Sequence, residues 1–182
     1  MIIYLIRHGA TCATERRLYC GSTDIPLSTD GRRRLEGLRG SFAVPEGARF
    51  ITSGMRRCDE TLEILFGDVD FERDPRLREM DFGEFEMRGY EELKTTPAYQ
   101  EWITGDNEGN RTPGGESGKE TAARAVTAFR EIVSAGRDAV IVTHGGVIAA
   151  VMADLFPEEN KSRYEWQPDC GEGYRLVLRT AR

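Results

Sequence analysis

The chain has 182 residues, 39% hydrophobic and 31% charged, which suits one soluble globular domain, residues 1–182, with a sizeable core. Its net charge of −6 argues against a general nucleic-acid surface, which needs a broad basic field. A small anionic substrate stays compatible, because a few arginines focused in one cleft dominate the local field.

The predicted elements alternate strand and helix. Ile2 to Ile6 is a continuous apolar run, as expected of a strand buried on both faces. A polar, irregular stretch follows from Gly9 to Pro26. Ser28 is placed to cap a helix from Asp30 to Arg39, with Gly31 and Gly37 as weak points. Arg49 to Thr52 reads as a second strand. Ser53 then reads as the cap of a helix through Leu65, anchored by Leu62, Ile64 and Leu65. Val69 to Glu72 is a short third strand. The segment 81–115 is polar and reads as an excursion over the active site, with short helices at Gly89–Lys94 and Pro97–Ile103. Ser117 to Glu120 forms a capping box for a helix ending near Ala135. Ala139 to Thr143 is a strand, Gly145 to Leu155 a helix, and Tyr174 to Leu178 a last strand. The expected fold is a three-layer α/β/α sandwich with a mainly parallel central sheet. Ligands of such folds bind beyond the carboxyl ends of the strands.

The amino terminus lacks the basic and long apolar stretches of a signal peptide, and no apolar run approaches the roughly 18 residues of a membrane span. The expectation is a cytoplasmic protein without membrane contact. Four scattered cysteines, Cys12, Cys20, Cys58 and Cys170, read as reduced thiols.

The two histidines stand in matching contexts: His8 and His144 each follow an apolar strand and precede a glycine. A glycine there lets the backbone turn sharply and approach a ligand closely. Both imidazoles should emerge on one rim of the sheet, and they converge if the two strands are neighbours. The bland alternative is two histidines packed at strand ends. Zinc would want a third ligand at a defined spacing such as H-E-x-x-H, which is absent. No metal and no other cofactor is expected. Two imidazoles beside Arg7 suit phosphoryl transfer. A neutral imidazole attacks phosphorus, and arginine, with a second imidazole, carries the phosphoryl charge.

Five motifs in order then resemble those of the histidine phosphatase superfamily, which includes cofactor-dependent phosphoglycerate mutases. They are Arg7-His8-Gly9-Ala10-Thr11; Gly21 with Asp24-Ile25-Pro26-Leu27-Ser28; Thr52-Ser53 through Arg57 to Thr61; Leu77-Arg78-Glu79 through Phe82-Gly83 to Glu86; and Pro113 to Ser117 with Thr143-His144-Gly145-Gly146. The resemblance covers nearly the whole chain. It implies His8 as the phosphorylated nucleophile, Arg7, Arg57 and His144 as the phosphate pocket, and Glu79 as proton donor to the leaving oxygen. By composition alone Arg57 would be one of a solvated arginine pair, and Glu79 one of many surface carboxylates; only the motif register selects them. Glu116, at a helix amino terminus, and Arg124 behind the site are further candidates, each equally readable as a plain structural or surface residue.

The departures bear on substrate. Ala10 stands where the family has Glu, Leu18 where the mutases have Arg, and Met87 where Gly is common; Thr14 replaces a phosphate-binding Asn and is expected to bind phosphate with its hydroxyl, though with less reach than the amide. Tyr19, Cys20 and Gly21, as a substrate loop, look closer to the α-ribazole phosphatases than to the mutases. The implied activity is hydrolysis of a small phosphorylated metabolite, including α-ribazole 5′-phosphate. The alternatives are mutase-type phosphotransfer and a non-catalytic phospholigand-binding protein. Specificity is expected in Cys12–Pro26, 81–115 and Trp166–Tyr174, whose aromatic residues read equally as packing. Whether the chain is a monomer or a homodimer stays open.

Overall fold

The computed structural model describes residues 1–106 and 108–179. Among them, five strands form one sheet: β1 (Ile2–Arg7), β2 (Arg49–Thr52), β3 (Glu72–Arg73), β4 (Ala139–Thr143) and β5 (Gly173–Val177). The spatial order is β3-β2-β4-β1-β5. All neighbours pair in parallel except β5, which closes the β1 edge antiparallel.

Strand periodicity explains the layers. Ile3 and Leu5 of β1 pack into one core with Ile141, Phe129, Val147 and Ile148. Tyr4 and Ile6 point the other way, to Leu35, Cys58 and Leu62. The first core lies under α6 (Gly118–Ser134) and α7 (Gly145–Leu155), the second under α2 (Thr29–Gly37) and α3 (Arg56–Phe66). Each buried Ile or Leu of β1 contributes about 1.5–3 kcal/mol of transfer free energy, so both faces need their helices. The expected three-layer sandwich is the one observed. Among the described residues no helix is long and apolar enough to cross a membrane.

Most predicted elements match within a residue or two, including the Ser28 cap of α2 and the Ser117/Glu120 capping box of α6. Gly31 is needed inside α2, because a Cβ there would meet the Ala10 carbonyl oxygen at 2.2 Å. Three expectations need correction. The stretch from Gly9 to Pro26 contains a short helix, α1 (Cys12–Glu15), capped by Thr11 with Thr14 reciprocating. The third strand is Glu72–Arg73 and not Val69–Glu72, since Val69 and Phe71 pack against the second core instead of pairing. Helix α3 begins at Arg56, with Met55 in the capping position. Ser53 is not its cap. Gly54, at φ 75°, turns the chain between Ser53 and the helix, and the Ser53 hydroxyl goes elsewhere.

The excursion carries α4 (Tyr90–Leu93) and α5 (Pro97–Ile103), and it builds a small core of its own from Phe85, Leu93 and Tyr99.

Candidate active site

β1 and β4 are neighbours, with Arg7 in register with Thr143. The next residues are His8 and His144, and the His8 N–H donates to the Thr143 carbonyl at 2.9 Å. The rings meet edge to face with centroids 5.1 Å apart. The convergence expected from the sequence therefore follows from parallel pairing alone. The glycines act differently from expectation. None of Gly9, Gly145 and Gly146 has positive φ. They leave room: a Cβ at Gly9 would meet Leu35 at 2.6 Å, and one at Gly146 would meet Glu79 Oε1 at 2.4 Å.

His8 is buried and forms part of the wall of a cleft of about 220 Å³. Its Nδ1 lies 2.7 Å from the Gly9 carbonyl oxygen. A carbonyl only accepts, so Nδ1 carries the proton and Nε2 keeps a free lone pair. Burial, then the charge of Arg57, push the His8 pKa down to about 3. His144 is held well below its ordinary value by burial, Arg57 and His8. Both rings are neutral near pH 7. His144 has no exposed surface and does not itself line the cleft; its ring packs edge to face against that of His8, which does.

Two arginines face the same cleft. Arg7 leaves the end of β1, and its Nη1 donates to the Pro168 carbonyl at 2.9 Å. Arg57, in the first turn of α3, is 1% exposed. Its Nη2 donates to Gly21 O at 2.8 Å and its Nη1 to Thr23 O at 2.9 Å. Those carbonyls belong to a loop gathered by one carboxylate. Glu86 accepts from the backbone N–H groups of Gly21, Ser22, Thr23 and Phe82 and from the Thr23 hydroxyl. Gly21 lies so close to the 77–86 segment that a Cβ would sit 1.6 Å from Met80 O.

Glu79 is on the cleft wall, with Oε2 accepting from Gly146 N–H and Oε1 from Met80 N–H, each at 3.0 Å. Behind it, Arg124 on α6 forms two hydrogen bonds to the Glu116 carboxylate and donates to the carbonyls of Arg76, Arg78 and Glu79. Arg124 therefore braces the segment carrying Glu79, and Glu116 faces that arginine.

The model of the histidine phosphatase superfamily (branch 1) matches residues 3–179. The chain belongs to this superfamily. A probable phosphoglycerate mutase of Yersinia enterocolitica is 30% identical over 160 residues, covering 84% of this chain and 74% of that protein. The α-ribazole phosphatase of Shigella flexneri superposes with a TM-score of 0.83 at 26% identity, over 98% of this chain and 91% of that one. A phosphoglycerate mutase of Thermus thermophilus superposes with a TM-score of 0.75 at 28% identity, over 98% of this chain and all of that one.

Of the four positions where the chain departs from the superfamily pattern, Thr14 and Leu18 line the cleft and Ala10 and Met87 do not. Thr14 is on its wall, but the hydroxyl donates to Thr11 O at 2.8 Å and accepts from Thr11 N–H at 2.6 Å. Donating to a phosphate would cost the bond to Thr11 O, while the capping bond from Thr11 N–H could stay. Leu18, Tyr19 and Cys20 form wall together with Phe82 and Trp102 of the excursion. Tyr19 is also tied to Tyr99 through their hydroxyls at 2.7 Å, while Phe85 is core. Burial pushes the Cys20 thiol up to about 11. Trp166 and Tyr174 pack together rather than facing ligand, and the wall on that side comes from Arg163, Tyr164 and Gln167. These three lie in a polar stretch with no strong pattern, and sequence reasoning passed over Arg163 and Tyr164. Ser53 and Glu86 were visible as motif letters, but Ser53 was read only as a helix cap and no role was attached to Glu86.

Proposed function

We propose that the protein is a phosphomonoesterase that hydrolyses a small phosphorylated metabolite through a phosphohistidine on His8. The observation that carries this reading is the 2.7 Å contact of His8 Nδ1 with Gly9 O, which leaves Nε2 bare and neutral beside two arginines. Nε2 attacks phosphorus and the ester P–O bond breaks. The Arg7 and Arg57 guanidinium groups bear the charge on the phosphoryl oxygens. Glu79, protonated, gives its proton to the leaving oxygen. As a carboxylate it then takes a proton from water, which attacks the phosphohistidine, so that phosphate leaves and His8 is restored.

The rest of the cleft wall supports hydrolysis over mutase-type transfer. Leu18, Tyr19, Phe82 and Trp102 offer apolar and aromatic surface, and Arg163 is already bonded to Glu108. Such a wall suits a sugar or a flat base better than a second acidic group, so α-ribazole 5′-phosphate heads the substrates to try. We further propose a cytoplasmic setting, supported by the four free cysteines.

The test is hydrolysis of p-nitrophenyl phosphate by wild type and His8→Ala, followed by a phosphometabolite panel. The expectation is activity in the wild type, undiminished by chelator, and loss of both turnover and acid-quenched phosphoenzyme in the variant. A wild type inactive throughout pH 5–8 would overturn the reading in favour of a binding protein. Conversion of 3-phosphoglycerate with a bisphosphate primer, faster than any hydrolysis, would overturn it in favour of a mutase.

A further inference from the structure

His144 raises a question that the reaction leaves open. It is fully buried, and its Nδ1 has no hydrogen-bond partner among the described residues. Its Nε2 is well supplied, with the Ser53 hydroxyl at 2.9 Å and the Cys58 thiol at 3.5 Å. A buried polar atom without a partner costs about 1–3 kcal/mol, so the empty side of this ring calls for an explanation.

Counting protons identifies the tautomer. Ser53 Oγ accepts from the Met55 N–H at 3.3 Å, which leaves its own proton to be placed. The acceptors in reach are His144 Nε2, at 2.9 Å, and the sulfur of Cys58. Sulfur is a weak acceptor, whereas a bare imidazole nitrogen is a good one. If Nε2 takes the Ser53 proton, every group here is satisfied except Nδ1–H. If Nε2–H instead donated to Ser53, the serine proton would be left with the weak sulfur acceptor and the Nδ1 lone pair would be stranded. Burial keeps the ring neutral, so one nitrogen or the other holds the proton.

We propose that Ser53 is a positioning residue that holds His144 as the Nδ1–H tautomer, keeping Nδ1–H as a reserved hydrogen-bond donor for an oxygen of the phosphoryl group on His8. The inference deepens the proposed reaction and rests on it. The two histidines would share a tautomer and divide the work: the Nδ1 proton of His8 is held by Gly9 so that Nε2 can attack, while Ser53 fills Nε2 of His144 so that Nδ1 can donate. A neutral donor suits the place, since an imidazolium beside Arg57 would be repelled. Ser53 follows β2, next to β4 in the sheet, so strand order brings it to His144.

The experiment is long-range proton–nitrogen NMR of the imidazoles at pH 7. The chain has two histidines, and His8→Asn leaves one, which settles the assignment. Wild type is expected to show His144 protonated at Nδ1 and bare at Nε2, and addition of orthovanadate should shift the Nδ1 proton. Ser53→Ala should bring in the Nε2–H form and lower kcat about 10-fold with KM changed less than about twofold. Cys58→Ala, which removes the weaker partner, should keep the tautomer. Nε2–H in the wild type would overturn the proposal. So would Ser53→Ala with tautomer and kcat unchanged, or a vanadate response confined to His8. The tautomer is read without turnover, so an inactive wild type would count against the reaction and not against this assignment.

Discussion

The backbone N–H of Gly146 donates to the Glu79 carboxylate at 3.0 Å, so the second residue of α7 fixes the group we assign as proton donor. That contact makes Gly146→Ala an informative substitution. The new Cβ would lie 2.4 Å from Glu79 Oε1, the far end of a flexible side chain, so the fold adapts by moving the carboxylate. Alanine is also the better helix former by up to about 1 kcal/mol. The expected outcome is an unchanged or higher Tm with kcat for an alkyl phosphate lowered at least about 10-fold. A large fall in Tm, with equal losses on every substrate, would mean that Gly146 serves packing alone.

Replacing Glu79 itself separates the two halves of the reaction. Glu79→Gln should lower kcat for alkyl phosphates by about 10²–10⁴. It should affect phosphoenzyme formation from p-nitrophenyl phosphate far less, because p-nitrophenolate leaves without a proton. Pre-steady-state release of nitrophenol measures this directly. Equal losses on both substrates would remove Glu79 from the role of acid.

Glu86 offers a different lesson, since it touches the site only through the backbone. Its carboxylate gathers the N–H groups of residues 21–23, whose carbonyls hold the guanidinium of Arg57. Glu86→Gln sets an amide against several donors and loses charge-assisted hydrogen bonds worth about 1.5–3 kcal/mol each, partly replaced by water. We expect roughly 2–3 kcal/mol less stability to urea and at least about a 10-fold weaker affinity for inorganic phosphate, read by competitive inhibition. Phosphate affinity unchanged in a destabilised protein would show that the loop supports the fold and not Arg57.

How far the sequence revealed all this varies residue by residue. β1 and β4 were plain because a strand buried on both faces is apolar at every position, and their paired histidines were plain because the chain has no others. Helix α1 escaped notice because its capping box uses Thr14 where Glu or Gln is the usual signal. Ser53 was misread as a cap because a serine before a helix has two uses, and only the neighbouring strand decides which. Glu86 resembled the other carboxylates of its segment, since five converging donors leave no trace in sequence spacing. Arg163 reaches the cleft from a loop whose path is set by tertiary contacts.

The low pKa of His8 ties the stability of the fold to pH. In the unfolded chain the imidazole titrates near 6.5; in the folded protein burial and Arg57 bring it to about 3. Between these values the unfolded state binds more protons, so stability rises with pH through that window. The contribution is complete above pH 6.5 and is lost as pH falls toward 3. At pH 4.5 the loss from His8 alone is about 2–3 kcal/mol relative to pH 7. Carboxylates held low by arginines, such as Glu116 and Asp74, weaken the fold in acid as well, so wild-type data alone do not isolate the histidine. The comparison with His8→Gln does. Urea titrations at pH 7 and 4.5 should show the variant losing about 2–3 kcal/mol less than wild type. Kinetics should agree, with kcat/KM showing no acid-side break near 6.5 from the nucleophile. Equal acid losses in variant and wild type would mean that His8 titrates like an exposed histidine and that its bare Nε2 is not enforced by burial.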